Sequence, residues 1–525
     1  MKSNFFFENK KIFYCLIIFI FSISINQHYG YKGVFPIDTF LFFDSGYRVA
    51  NGTFPFKDFW AVTGLTNDIM QAVFFKVFGI SWFSYVLHAS FMNFIIAFST
   101  FYTFCKFKLN IHFSLVYALL VAIIAYPIAG TPFPDHHSTI FAIISLFCFL
   151  LHLKTNSNFY LFLLPIFMLL AFLSKQTPAA YVFIIIFFIG LIYFFYNFSF
   201  KKINFLLSGT LFILTLFFLF FIINKISLSS FFKQYLMYPL TIGDSRFSEF
   251  LFPLEFARLV LRFKLIHIAV FPLIFLVIKN FLKNYKYYKE KDFFILISLI
   301  LTSYSLILNQ LLTLNQKFIF FTIPIFLGFS HFYLQRVIKK QYFIYFIIVL
   351  ALGSTLYYKI SYVDKRKFMD LENVKFENLE KGEKIDKRLK HLSWINPRFS
   401  GSPNDEIKIL KKTIKILSQD SRNKLLITHY QFIASLLPQN THSFNRTYDD
   451  VAYPGKKNKY YGFYKKFFID HLINKNIEII YVIKPLEKNV FEKLIKQNCF
   501  EEKKVNSILT SYLIVDCDDL KNNKN

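Results

Sequence analysis

The stretch Tyr181-Val182-Phe183-Ile184-Ile185-Ile186-Phe187-Phe188-Ile189-Gly190-Leu191-Ile192-Tyr193-Phe194-Phe195 carries no charged side chain. With its flanks, residues 177–197, it is long enough to cross about 30 Å of hydrocarbon as a single helix. It ends just before Lys201 and Lys202, a basic pair of the kind that stays on the cytoplasmic side of a membrane. Runs of the same character lie near 12–28, 82–104, 112–130, 137–153 and 158–174. Others follow near 203–223, 262–282, 292–313, 316–335 and 341–358. The expected fold is therefore an α-helical polytopic membrane protein of about eleven transmembrane helices.

Composition agrees. The 525 residues are 55% hydrophobic and 21% aromatic, with Phe at 75 positions, and the mean hydropathy is +0.42. A soluble protein of this size would need far more surface charge. The net charge of +28 invites a nucleic-acid reading, which the placement of the lysines argues against. Many sit in short clusters between apolar runs, where they set topology and meet anionic lipid headgroups.

An N-terminus in the cytoplasm puts Lys106, Lys108, Lys154, Lys201 and Lys202 inside, with Lys283, Lys286, Lys289, Lys291, Arg336, Lys339 and Lys340. The opposite orientation would break the positive-inside rule at nearly every loop. The first run follows Lys10 and Lys11 and precedes no small-residue cleavage site, so it is read as a retained helix. An odd number of crossings then places everything after about residue 358 outside the cytoplasm. This gives a transmembrane domain over 1–358 with a first external loop at 29–81, a linker at 359–403 and an extracytoplasmic α/β domain at 404–525.

In that last domain, helices over 406–417, 462–474 and 488–497 alternate with strands over 425–428, 477–483 and 509–515. Such alternation predicts a small parallel sheet. Neither a GxGxxG nor a P-loop is present, so no nucleotide is assigned. None of the five cysteines forms a CxxC or zinc-spaced pattern. Cys499 and Cys517 share an oxidising compartment on this topology and are candidates for a disulfide. The apolar half shows no internal repeat, which counts against a transporter.

On this topology the informative polar residues collect on the outer side. The first external loop holds Asp44-Ser45-Gly46, then Gly52-Thr53-Phe54-Pro55-Phe56-Lys57-Asp58-Phe59-Trp60, and then an apolar run ending Phe78-Gly79, which suits an interfacial helix. Pro134-Asp135-His136-His137-Ser138 opens one span, and Lys175-Gln176-Thr177-Pro178 joins two others. Asp44 could serve as a turn or cap residue, Asp58 could pair with a neighbouring base, and Asp135 could cap its helix. Adjacent histidines project about 100° apart on a helix, so His136 and His137 are poorly placed to share one metal. Lys175 stands where basic residues are disfavoured. Arg246, Arg258 and Lys317 lie at or near the same interface, where snorkelling explains them equally well. His88, Tyr126 and Asn309 are read as buried and satisfied.

These motifs resemble bacterial GT-C glycosyltransferases, in particular protein mannosyltransferase-like and aminoarabinose transferase-like enzymes. The resemblance rests on an Asp after the first span, on Gly-x-x-Pro-aromatic-basic-Asp-Phe-aromatic, and on the interfacial run ending Phe-Gly. It covers mainly residues 35–180. It departs from the family at Asp44-Ser45, where many relatives carry an acidic pair, and near Leu65-Thr66, where they carry Pro-Pro. The second carboxylate and any divalent metal are thereby left open.

The resemblance implies an inverting enzyme of the bacterial inner membrane that takes a sugar from a polyprenyl-phosphate carrier. The acceptor is an extracytoplasmic glycan, lipid or protein; membrane lipids are the other partners. Asp44 matches the general base, with Asp58 as a second active-site residue. Asp135, His136, His137, Lys175, Gln176, Arg246, Arg258 and Lys317 are the substrate-binding candidates, Lys175 foremost for the carrier phosphate. The rival readings are a lipid-linked glycan ligase or polymerase, and a non-enzymatic flippase or transporter.

Overall fold

A computed structural model describes residues 2–249, 255–313, 318–338, 341–437, 440–449 and 451–515, with side chains from residue 10 onward apart from those of 245 and 247–249. The chain divides into two compact units. One comprises Met1–Gly30, Val86–Leu219 and Arg246–Phe368, the other Tyr31–Tyr85, Phe220–Ser245 and Met369–Asn525.

The first unit is helical. Among the described residues, eight helices of the chain are long and apolar enough to cross a membrane: Lys10–Gly30, Trp82–Lys106, Pro134–Thr155, Gln176–Tyr196, Phe200–Ile223, Phe256–Lys283, Lys291–Thr313 and Gln341–Met369. This is the pattern of a polytopic helical membrane protein. The other three runs expected to span fold as shorter helices, Ile111–Ile124, Phe159–Ser174 and Thr322–Val337. At 1.5 Å per residue these reach only about 21–24 Å. The first of them stops early because Pro127 follows, and the residue before a proline is pushed out of the helical region. The freed carbonyls of Pro127, Ile128 and Ala129 accept bonds from the buried Arg366 guanidinium at 2.9–3.2 Å. Gly130, at φ +76°, then lies against Gly30; a Cβ on it would come within 2.7 Å of the Gly30 Cα.

Burial sorts the helices. Pro134–Thr155 is buried along nearly its whole length, polar residues included. Phe200–Ile223 instead exposes Leu211, Phe212, Leu216, Phe218, Leu219, Ile222 and Ile223, a surface suited only to lipid.

The second unit is α/β. Strands β1 (Glu380–Lys381) and β2 (Ser393–Trp394) form a short antiparallel pair. A five-stranded sheet is made of β3 (Lys424–Ile427), β4 (Thr441–His442), β5 (Ile479–Ile483), β6 (Phe500–Lys504) and β7 (Leu509–Ile514), in the order β4-β3-β5-β7-β6. β4, β3 and β5 are parallel, as the alternation of helix and strand predicts, but β7 runs antiparallel to β5 and pairs with β6. The all-parallel expectation fails at this hairpin, because β6 reads Phe-Glu-Glu-Lys-Lys. So charged a strand survives only at a sheet edge, where its side chains reach water and discourage further pairing. The helix expected over 488–497 is replaced by two 3₁₀ turns, Lys488–Val490 and Gln497–Cys499.

The segment after the first helix is sewn into this unit by backbone bonds. Gly33 and Val34 donate to Ser393 and Ile395, and Ser393 donates back to Tyr31, at 2.8–2.9 Å. Further on, Trp60 N–H donates to Phe444 at 2.7 Å and Arg446 N–H to Trp60 at 2.9 Å. The Trp60 ring is buried in the core with Tyr464, Phe467 and Tyr238, and its indole N–H reaches the Ala452 carbonyl at 3.0 Å.

Candidate functional site

A polar cavity of about 310 Å³ lies in the second unit. One wall comes from residues 44–59 and the other from residues 434–475. The helix Leu41–Ala50 supplies Asp44, Tyr47 and Arg48, whose i, i+3, i+4 spacing places them on one face. Gly46 lets that helix close on its neighbour Leu65–Phe78, since a Cβ there would meet the Gln71 side chain at 2.4 Å.

Asp44 is buried, and its Oδ2 accepts from Arg48, with Nε at 2.8 Å. Its Oδ1 has no hydrogen-bond partner among the described residues. Arg48 also donates to the Ser443 carbonyl at 2.6 Å and the Asn445 carbonyl at 3.2 Å, and lies 4.6 Å from the Phe59 ring centre. The guanidinium therefore ties Asp44 to the opposite wall. Asp58 closes its own loop, accepting from Phe54 N–H at 2.8 Å. It is half-buried and lines the same cavity as Asp44.

The facing wall holds Thr441, His442, Ser443, Phe444 and Lys475. Burial, followed by the positive charges of Lys475, Arg48, Lys424 and His471, pushes the His442 imidazole down to about 4, so it is neutral at pH 7. Behind this site lies a buried ion pair, Asp68 with Arg446. Ser45 Oγ donates to Asp68 at 2.6 Å. Burial raises the Asp68 carboxyl to about 6 against the pull of Arg446.

The other described substrate-binding candidates fall in the helical unit. Lys175 Nζ sits 2.8 Å from both oxygens of the buried Asp135. The Lys175 carbonyl accepts from Ser138 Oγ at 3.0 Å. Asp135 does not cap its helix: Phe133 occupies the cap and Pro134 the first turn. His136 and His137 diverge, as their spacing requires. His136 is packed against the rings of Phe318, Phe368 and Tyr126 with centres 4.6–5.1 Å apart. His137 Nε2 lies 2.8 Å from His88 Nε2, and its Nδ1 lies 2.6 Å from the Tyr126 hydroxyl. Gln176 is half-buried at the start of Gln176–Tyr196. Arg246 lies near the end of Tyr238–Glu249. Arg258 is exposed and paired with Glu255 at 3.1 Å. Lys317 and Cys517 lie outside the described residues, while Cys499 is disulfide-bonded. Among the described residues no three His, Cys, Asp or Glu side chains gather as a metal would require.

Sequence reasoning missed Arg48, although its i+4 spacing from Asp44 was there to read. It had no means of finding Asp68 with Arg446, or Lys475 and His442, because hundreds of residues separate them from their partners. Of the three residues read as buried and satisfied, His88 and Tyr126 prove buried and hydrogen-bonded, whereas Asn309 is buried but neither atom of its side-chain amide finds a partner among the described residues.

Comparison with protein-family models and with curated proteins finds no match for this chain.

Proposed function

We propose that this chain is an integral-membrane glycosyltransferase of the bacterial inner membrane, of GT-C type. It transfers a sugar with inversion from a polyprenyl-phosphate carrier to an acceptor hydroxyl outside the cytoplasm. The observation that supports this reading best is Asp44: a buried carboxylate on the wall of a polar cavity, with one oxygen anchored by Arg48 and the other unpartnered. An anchored carboxylate with a spare oxygen is what a general base requires.

In the step proposed, the acceptor oxygen bonds to the sugar's anomeric carbon as its proton passes to Asp44. The bond from that carbon to the phosphate oxygen breaks, and the electron pair leaves with the polyprenyl phosphate. Negative charge grows on the leaving phosphate and needs fixed positive charge nearby.

The test is transfer by purified protein in detergent, given radiolabelled polyprenyl-phosphate sugars and a membrane glycan extract. Transfer by the natural chain that collapses in a folded Asp44→Asn variant is the expected result. Full activity in Asp44→Asn removes Asp44 from the chemistry. Specific binding of a lipid-linked glycan without transfer from any donor favours a flippase.

A further inference from the structure

The two walls of the cavity differ in charge. The 44–59 wall is that of a sugar site: Tyr47, Asn51, Thr53 and Asp58 offer donors and acceptors, and Phe59 offers an aromatic face. Such groups bind hydroxyls without regard to net charge. On the 434–475 wall, Lys475 lines the cavity and makes no ion pair among the described residues. His442 stands beside it, and Thr441 contributes a buried hydroxyl with no hydrogen-bond partner. Together with the unpartnered oxygen of the almost wholly buried Asp44, this leaves polar atoms on both walls that await a ligand.

We infer that this cavity takes a saccharide carrying an acidic substituent, a carboxylate or a phosphate monoester, with Lys475 and His442 gripping the acid while the sugar hydroxyls face the 44–59 wall. The inference rests on the transferase reading and names its acceptor class. It also gives the C-terminal part of the chain a task, since the acid-selecting residues all come from beyond residue 434.

The charges around His442 support it independently. Lys475, Arg48 and Lys424 all act on that imidazole with positive charge, and of these Arg48 is matched by Asp44. An anion placed at Lys475 gains an attraction that a neutral sugar does not. An anion relieves this crowding and accepts charge-assisted bonds, the stronger kind.

Ligand-observed saturation-transfer NMR on the full-length protein in detergent tests the inference without requiring turnover. The probes are D-glucose, D-glucuronate, D-glucose 6-phosphate and inorganic phosphate. Glucuronate or glucose 6-phosphate should bind at least about tenfold more tightly than glucose, one charge-assisted contact's worth, and the stronger of the two identifies the acid. Lys475→Gln should erase that preference, and Lys475→Arg should keep it. Equal binding of glucose and both acids overturns the inference, as does a preference that survives in Lys475→Gln. Inorganic phosphate binding as tightly as the sugar phosphate overturns the saccharide part. Acid preference in a chain that transfers no sugar would fault the transferase reading alone, while transfer without acid preference would fault only this inference.

Discussion

Two carboxylates in this molecule are each held by a neighbouring cation, and they end in opposite conditions. Asp135 has both oxygens on one ammonium, Lys175 Nζ, at 2.8 Å each. Asp44 has one oxygen on Arg48 and the other unpartnered. The cations explain the contrast. An ammonium is a compact point charge that can sit astride a carboxylate; a guanidinium is a planar fork able to grip both oxygens, but the Nε and Nη2 of Arg48 both meet the same oxygen of Asp44. Arg48 spends part of its fork on the carbonyls of Ser443 and Asn445, so it fixes Asp44 without saturating it. Lys175 holds its acid closed; Arg48 holds its acid in place and leaves one oxygen without a bond.

Exchanging the fates of these two acids is the sharpest way to break the comparison. Asp44→Asn should cost transfer about 10²- to 10⁴-fold, the range of a lost general base, with folding unchanged. Asp135→Asn should leave turnover within a few fold and lower the melting temperature instead, because it weakens a pair that is already satisfied. Loss of transfer in a folded Asp135→Asn protein would give the closed pair a chemical role and end the distinction.

A third ion pair marks the structural extreme. Asp68 and Arg446 are 0% and 3% exposed and join the early segment to the C-terminal part within one unit. Asp68→Ala leaves the guanidinium buried without its counter-charge, at about 3–5 kcal/mol. Pairing Asp68→Leu with Arg446→Met should recover most of that loss, since apolar replacements of similar volume avoid the desolvation penalty. Tryptophan fluorescence reads this cleanly, because Trp60, Trp82 and Trp394, the only three in the chain, all belong to the second unit. An unshifted unfolding midpoint in Asp68→Ala would show that the early segment contributes little to that unit.

How much of this was legible beforehand follows from what each feature depends on. The spanning helices were readable because a long uncharged run such as 177–197 has few other places to go than lipid. Three runs came out short because proline placement and local packing, rather than hydropathy, set helix ends, as at Pro127. β6 was missed because its Glu501-Glu502-Lys503-Lys504 is made acceptable only by a position at the sheet edge, which is a tertiary fact. Asp44 was singled out through its motif, but its anchoring rests on Arg48, which also reaches carbonyls at 443 and 445, and no sequence pattern encodes that reach. Trp60 reads as one aromatic in a loop until Phe444 and Arg446 are found hydrogen-bonded to its backbone.

The smallest effect expected in this unit concerns acid. His429 follows β3 and is 7% exposed; burial first, then the charge of Arg398, lowers its imidazole to about 4 from the usual 6.5. A base with a depressed folded pKa contributes stability that is present above the unfolded value and is lost as pH falls toward the folded one. Between pH 7.5 and 5.5, therefore, His429 should cost the native state about 1 kcal/mol, the unfolded chain taking up the proton first. Asp68 works in the opposite direction over the same interval: its carboxyl, raised to about 6, protonates in the folded state before the unfolded one, so stability is gained as pH drops. The natural chain should then lose stability across the window, because His442, also held near 4, adds to His429 and together they outweigh Asp68, while His429→Asn should lose about 1 kcal/mol less. Tryptophan-detected melting at the two pH values measures the difference directly. The same pH response in His429→Asn and the natural chain would mean that this imidazole meets water more readily than its burial implies.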